Sequence, residues 1–567
     1  MTRSRYLVPL AALLLAAACS GSGAHAGSTC SSGSRRCQGS VLQTCAGGVY
    51  QDTQTCAAAC DAALGCVACA PSTATCVGSV SHACLPDGSG FVDVACDPAQ
   101  GLTCGPSGTC EGPCAPGLLG QSHLGCDFRP TVTGNPVASD YHFAIAVANP
   151  AAAAATVTVD GGGLSAPVSF AVPAGGARVQ ALPWVAALKL CVGATSADCT
   201  GTQANAALAA GGAFRVRATS PVAVYQYNPL EYAIAAAGDP FSYSNDASLL
   251  FPETSWGRTY YVASWTPAAG QLPGLLTVTA AQDATTVVVT TRASTAASGG
   301  APAFAAGVPQ SVTLDAGGVL EIGSLTGDLT GSLVQADKPV QVLGGHYCAQ
   351  VPDGVAYCDH LEEAMPPVEA LGRRYLVSAP ATPATPGGKE EVIRLVATEA
   401  GTTLGYDPPQ ASAPTAIANP GDFVEIARQS ASFQVTANHK ILVAQYMEGQ
   451  LATAGNDGDP SMSVATPVEQ YRSSYRFHAP TNYVVGYLDV LAPTGASIYL
   501  DGAPVSGFAA IGTSGYGLAR VSPLGPGPGA DGSHLITGDQ PFGISVYGYG
   551  DNASYWYPGG LDLVPIP

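Results

Sequence analysis

Charge is scarce in this sequence, and positive charge most of all. Asp, Glu, Lys and Arg make up 11% of its 567 residues, with 21 basic against 40 acidic side chains and a net charge of −19. Such a surface repels polyanions, which excludes nucleic acid and anionic lipid as partners. Helical periodicity is missing beyond the first twenty residues, and no later segment has the run of about 20 apolar residues that a membrane helix needs. No HExxH and no GxSxG occurs, so the common zinc-hydrolase and nucleophile-elbow signatures are absent. The run "GPGPGADG" at Gly525 has glycines but no strand-to-helix setting, and reads as a loop. Small and turn-forming residues dominate instead, with 69 Gly and 44 Pro, beside 19 Cys.

The N-terminus sets the compartment. Arg3 and Arg5 precede the apolar run "YLVPLAALLLAAAC", which ends at Cys19. A charged start, a short apolar core and small residues form an export signal. Ala16, Ala17 and Ala18 directly before Cys19 resemble a bacterial lipobox, with the usual Leu one place early at Leu15. The resemblance implies a signal peptide over 1–18, a lipid on Cys19, and anchoring by acyl chains. A tether of small residues, 19–29, follows.

Removing Cys19 leaves an even 18 cysteines, as full pairing in an oxidising compartment requires. Two copies of a cysteine framework occupy 30–68 and 69–126. Cys30, Cys37, Cys45 and Cys56 are separated by six, seven and ten residues, and Cys69, Cys76, Cys84 and Cys96 by six, seven and eleven. Cys114 and Cys126 are left over to pair with each other. Units this short cannot bury a sufficient core, so disulfides must substitute for one. Cys191 with Cys199 and Cys348 with Cys358 are isolated local pairs in the remainder.

From about residue 130 short alternating strands take over, punctuated by Gly, Pro and Asp. One pattern occurs four times: "FRVRATSPVAVYQY" from Phe214, "SLVQADKPVQVLGG" from Ser332, "SFQVTANHKILVAQY" from Ser432 and "SHLITGDQPFGISVYGY" from Ser533. Each reads as a hairpin, with Pro221, Pro339 and Pro541 (Lys440 in the third copy) opening its second strand. The expected architecture is all-β: four tandem β-sandwich-like modules after a small disulfide-rich region, at 134–238, 239–357, 358–458 and 459–567. A repeat of about 100 residues has the size of a two-sheet sandwich. A β-propeller with two blades per repeat is the alternative.

The junctions between modules carry a further pattern. "NDASLLFPETSWGRTYYV" (from Asn245), "CDHLEEAMPPVEALGRRYLV" (from Cys358) and "GDPSMSVATPVEQYRSSYRF" (from Gly458) each place an Asp, then a Pro, then an aromatic or Leu before the next strand. These junctions, above all "CDHLEEAMPP" flanked by "ADKPVQVLGGHYC" and "LGRRYLV", resemble the N-terminal domain of IgGFc-binding proteins over 134–567. The resemblance implies binding or adhesion at a surface. It supplies no set of contact residues.

Asp359, with nearby oxygens, is a candidate calcium site, set against a purely architectural role that the recurring Asp246 and Asp459 favour. Tyr225, Tyr227, Tyr232, Tyr555, Trp556 and Tyr557 are the candidate binding residues, because Tyr and Trp join an apolar body to a polar tip. No catalytic residue and no cofactor is assigned. The chain reads as a non-enzyme, lipid-anchored at a bacterial outer membrane or cell surface (outward or periplasm-facing), that recognises an extracellular protein or glycan. An exported carbohydrate-active hydrolase and a structural envelope protein are the rival readings.

Overall fold

The computed structural model describes residues 30–191, 195, 205–268, 272–452 and 458–567. Strands dominate it, and the one α-helix among the described residues is a single turn, Ala186–Lys189. Contacts divide the chain into two units. One ends at Ala95 and includes Cys104–Cys110; the other holds Cys96–Thr103 and runs from Glu111 to Pro567.

The first unit is stapled rather than packed. Its strands, such as Val49–Thr55 and Phe91–Ala95, lie largely exposed, while Cys45, Cys56, Cys69 and Cys84 are buried. The duplicated spacing becomes duplicated connectivity. Cys30–Cys45 corresponds to Cys69–Cys84, and Cys37–Cys60 to Cys76–Cys104. Cys56 pairs with Cys66.

The second unit begins with Cys114–Cys126 bonded. Eight of its strands organise the rest: Phe214–Asn228 (β1), Asp246–Leu250 (β2), Leu333–Ala349 (β3), Asp359–Ala364 (β4), Ile441–Met447 (β5), Met462–Val464 (β6), Ser533–Gly550 (β7) and Ala553–Pro558 (β8). Each module has an inner antiparallel sheet, extended at its outer edge by Ala207–Ala209 in module two and by Ala509–Ala510 in module four, that is built on four strands. In order these are Ala177–Leu182, Phe143–Ala148, β1, β2; Val319–Ser324, Gly274–Ala280, β3, β4; Phe423–Gln429, Glu391–Ala397, β5, β6; and Tyr516–Val521, Val485–Pro493, β7, β8.

The repeated segment is not a hairpin, and this corrects the sequence reading. In modules one, two and four it is one long bent strand. The first half of β1 pairs with Gly125–Phe128 and Ala155–Gly161 in an outer layer, and its second half enters the inner sheet. β3 and β7 do the same. Pro221, Pro339 and Pro541 stand at the crossover between layers, where a proline interrupts neither ladder. In module three Asn438–Lys440 break the strand, so Phe433–Ala437 and β5 are separate. The repeating unit is therefore a two-layer module rather than a single-sheet blade.

A tyrosine secures the bend in three modules. Tyr260 donates to Val340 O at 2.7 Å, Tyr375 to Ile441 O at 2.6 Å, and Tyr475 to Phe542 O. Each acceptor directly follows the crossover Pro or Lys. Each phenol also accepts an N–H from three residues upstream, at Gly257, Gly372 and Arg472. Phe128 occupies the matching register position in module one. All three tyrosines are buried. Removing the Tyr375 hydroxyl with Tyr375→Phe strands one donor and one acceptor, which predicts a loss of about 2–4 kcal/mol, read as a lower urea midpoint than that of the parent chain.

Candidate functional site

The inner edges of the four modules meet. β2 packs against β4 and β8, and β6 packs against the same two strands, closing a ring. The burial is complete on both faces: all residues of β2, β4, β6 and β8 are buried. An edge strand carries unpaired N–H groups, and enclosing it leaves them without water. Carboxylates supply the acceptors. Asp246 Oδ2 accepts from Glu362 N and Met462 N, both at 3.1 Å. Asp246 Oδ1 accepts from Ser461 Oγ at 2.6 Å and, more weakly, from Trp556 N at 3.4 Å. One side chain of β2 thus holds the other three strands of the ring. Asp359 accepts Asn245 N and, at 3.3 Å, Ser554 N. Glu363 accepts the Ser248 hydroxyl at 2.6 Å.

Burial pushes Asp246, Asp359 and Glu363 well above the ordinary carboxylate range, against the hydrogen bonds that favour their ionised forms; Asp459 adds to the rise at Asp359. Asp459 itself is raised by burial to about 6, with Lys389 opposing. His346 is also buried, and desolvation lowers it to about 3. Glu362 Oε2 takes the Thr133 hydroxyl at 2.7 Å and stands 3.5 Å from His360 Nε2. These acids and imidazoles are buried, and Glu363 Oε2, Asp459 Oδ1, His346 Nε2 and His360 Nδ1 have no hydrogen-bond partner among the described residues. Among the described residues no group of three or more His, Cys, Asp or Glu is placed to hold a metal ion. Asp359, the calcium candidate, spends its oxygens on backbone amides.

The aromatic candidates are also interior. Tyr225, Tyr227, Tyr555, Trp556 and Tyr557 have at most 1% exposure. Tyr225 donates to Gly559 O, Tyr227 bonds His478 and Tyr557, and Trp556 donates to Ser545 Oγ. Their placement as surface binders is corrected for a physical reason: β8 lies inside the ring, and Tyr225 and Tyr227 lie on the fully buried second half of β1 between Phe143–Ala148 and β2, so alternation exposes neither face in either strand. Tyr232 is half-buried, its ring 5.4 Å from that of Tyr483. Cys348 and Cys358 form the expected disulfide at the base of the β3–β4 connection. Cys191 is disulfide-bonded, while Cys199 and the lipidation candidate Cys19 lie outside the described residues.

What sequence reasoning missed is the end of the ring where the four connections converge. The β5–β6 connection touches β3–β4 through Gly449 N to Val351 O at 2.7 Å, and β7–β8 through Gln450 Nε2 to Asn552 Oδ1 at 3.3 Å. The β1–β2 connection reaches module four through Asn482 Nδ2 to Leu230 O at 3.2 Å. A cleft of about 320 Å³ opens here, its lining including Phe241, Pro383, Gln450, Val484, Asp551 and Asn552. Tyr357 and Val484 stand at its margin with 58% and 65% exposure. The signal available in the sequence was an apolar residue inside a turn-rich segment, as in "PDGVAY" and "TNYVV".

Two predictions follow from the ring chemistry. A neutral Asp246 would donate its proton to Ser461 Oγ and accept both amides on its other oxygen. Asp246→Asn keeps an acceptor for the Glu362 and Met462 amides but turns an NH2 toward the Ala247 and Trp556 N–H groups and should cost about 1–2 kcal/mol in denaturant melts, whereas Asp246→Ala strands the Glu362, Met462 and Trp556 amides at a cost of about 3–5 kcal/mol. For pH, Asp459 and Asp489 are raised by burial to about 6 and Glu448 to about 7. The folded chain keeps protons there that the unfolded chain releases above about pH 4, so stability is lost as pH rises through 6–7. The change in thermal midpoint from pH 5 to pH 8 should be more negative in the parent than in Glu448→Gln, a comparison in which the opposite contribution of the buried His123, His346 and His478, lowered by desolvation, cancels.

The comparisons with known proteins agree with this architecture. A family model described as IgGFc binding protein matches residues 246–548, from the first residue of β2 nearly to the end of β7 and over half of the chain. The human (Homo sapiens) IgGFc-binding protein is 29% identical over 231 residues, which is 41% of this chain and 4% of that protein. The matched span contains three of the ring strands together with the Asp, Pro and Tyr pattern that joins modules two, three and four, and on that ground the chain belongs to the IgGFc-binding protein family.

Proposed function

We propose that this chain is a non-covalent binding protein for an extracellular protein, displayed from a bacterial surface by a lipid on Cys19. The family supports binding, since its human member is named for it. The observation that carries the reading is the division of labour within the ring. Asp246, Asp359 and most of the ring's tyrosines are consumed in holding strands together, while the loops at one end gather a cleft and exposed apolar side chains. Binding loops on a rigid scaffold are the usual form of a recognition protein. The buried carboxylates argue against the hydrolase alternative, which needs two acids reaching a bound sugar. The cysteine modules would serve as the spacer between the lipid and the β-modules.

The test is a biosensor panel of immobilised extracellular proteins, the Fc fragment of immunoglobulin G among them, and of glycans, probed with the purified chain. Saturable binding to a protein with a Kd below about 10 μM is expected. Binding to glycans alone, or to nothing on the panel, would overturn the reading. Fatty-acyl mass at Cys19 in material from the native membrane fraction checks the anchor.

A further inference from the structure

Resting on that binding reading, we infer that the loop end of the ring docks a protein segment presenting a Lys or Arg side chain flanked by apolar groups. The first argument is exposed apolar surface. Among the described residues from 134 onward, eight large apolar side chains are exposed. Four of them, Tyr243, Tyr357, Leu451 and Val484, belong to this end. Tyr243 stacks edge-on with Phe241, which lines the cleft, their ring centres 5.8 Å apart. Tyr357 adjoins Gly449, and Leu451 follows the cleft residue Gln450. Of the four, Val484 lines the cleft itself, Tyr243 packs on the cleft residue Phe241, and Tyr357 and Leu451 belong to the connections that border it. Scattered apolar residues on a surface need no explanation, but a concentration at one cleft marks an interaction site.

Charge supplies the second argument, and it selects the partner. Connections 229–245, 350–358, 448–452, 481–485 and 549–552 contain Glu231, Asp239, Asp353, Glu448 and Asp551, and no Lys or Arg. Glu231 is engaged with His142 at 2.8 Å, and Glu448 is buried. Asp353 and Asp551 are exposed, and Asp551 lines the cleft directly. The nearest cation in the bordering 380–390 segment is Lys389, which is buried with its ammonium 5.9 Å from the Tyr549 ring. The exposed Arg428, whose charge reaches Glu448, is turned to Glu390 at 3.7 Å, so an incoming cation meets the exposed Asp551 beside aromatic faces that also favour it. An acidic or purely apolar partner would gain nothing from the first and leave the carboxylates desolvated. The cleft has room for one side chain with its neighbours, 320 Å³ being at the lower end of ligand-sized pockets.

The experiment uses the intact chain and an array of immobilised peptides in which Lys or Arg sits beside Phe, Trp or Leu, with a matched set carrying Glu instead of the basic residue. Retention of the basic set at least tenfold above the acidic set is expected, weakening as salt rises from 50 to 500 mM. The double variant Asp353→Lys, Asp551→Lys should abolish that preference, and Tyr357→Ser, Val484→Ser should weaken retention about fivefold. All four positions are at the surface, and an unchanged thermal midpoint confirms that the variants fold. Hydrogen exchange of the bound chain should slow in 350–358 and 481–485. Retention indifferent to these substitutions would overturn the docking surface, and equal retention of both peptide sets would overturn the partner chemistry. A chain that binds the extracellular protein panel yet ignores every peptide would sink this inference while leaving the binding reading standing.

Discussion

Four sheet edges are buried against one another in this protein, and the N–H groups on those edges must find acceptors without water. An unpaired amide in the interior costs about 1–3 kcal/mol, and each ring strand would bring several. The solution is one short acid side chain at the start of a junction strand. Asp246 accepts from all three of the other ring strands, and Asp359 from the chain just before β2 and from β8. Desolvation of these acids opposes the arrangement, as their raised pKa values record. The compensation lies in the number of amides each satisfies and in the extensive apolar packing around the ring. Polar groups in a core are tolerated when their partners are complete, as both oxygens of Asp246 and of Asp359 show.

That constraint explains why the modules recur with their junctions intact. A strand crossing from outer to inner layer must bend, and the bend needs a residue whose N–H is dispensable and a latch that holds the carbonyl beyond it. Pro339 and Tyr260, Lys440 and Tyr375, and Pro541 and Tyr475 are three instances of one device. Module one keeps Pro221 but has Phe128 where the tyrosine would stand. Its entry strand is instead held by the neighbouring Cys114–Cys126 disulfide and by Arg215, which bonds Asp127 at 2.6 Å. The extended segment after it, buried without forming a strand, has its amides met by side chains, as at Thr131 N with Gln226 Oε1 and Gly134 N with Glu321 Oε1.

Much of this was legible in the residues. Alternation and turn punctuation gave the all-β class, the repeated spacing of Cys30 to Cys56 marked a duplicated framework though not its bridges, and the recurring junction Asp pointed to architecture. The hairpin misreading of "SLVQADKPVQVLGG" has a local cause: a Pro and two charges between apolar runs look identical whether the chain reverses or merely changes layer, and only the partners of each half decide. The tyrosines of "ASYWYP" misled for a nonlocal cause. Period-two patterning identifies a strand with one wet face, and enclosure by three other modules is a property of the assembly that no ten-residue window contains. The same enclosure hid the true surface candidates, since Tyr357 and Val484 look ordinary until four connections from distant parts of the chain are brought to one opening.

The ring also separates stability from recognition. Groups that hold the strands cannot vary freely, because each carboxylate serves amides on strands more than a hundred residues away, as Glu362 and Met462 are from Asp246. The loops that close the hairpins bear no such obligation beyond their bases: Asp353, Tyr357 and Asp551 side chains project from turns whose ends are already fixed by the Cys348–Cys358 bridge and by the β7–β8 ladder. Substitution at the loop tips can thus alter what is bound while the amides of β2, β4, β6 and β8 keep their acceptors. A scaffold of this kind permits one architecture to carry different loop surfaces while its core contacts stay the same.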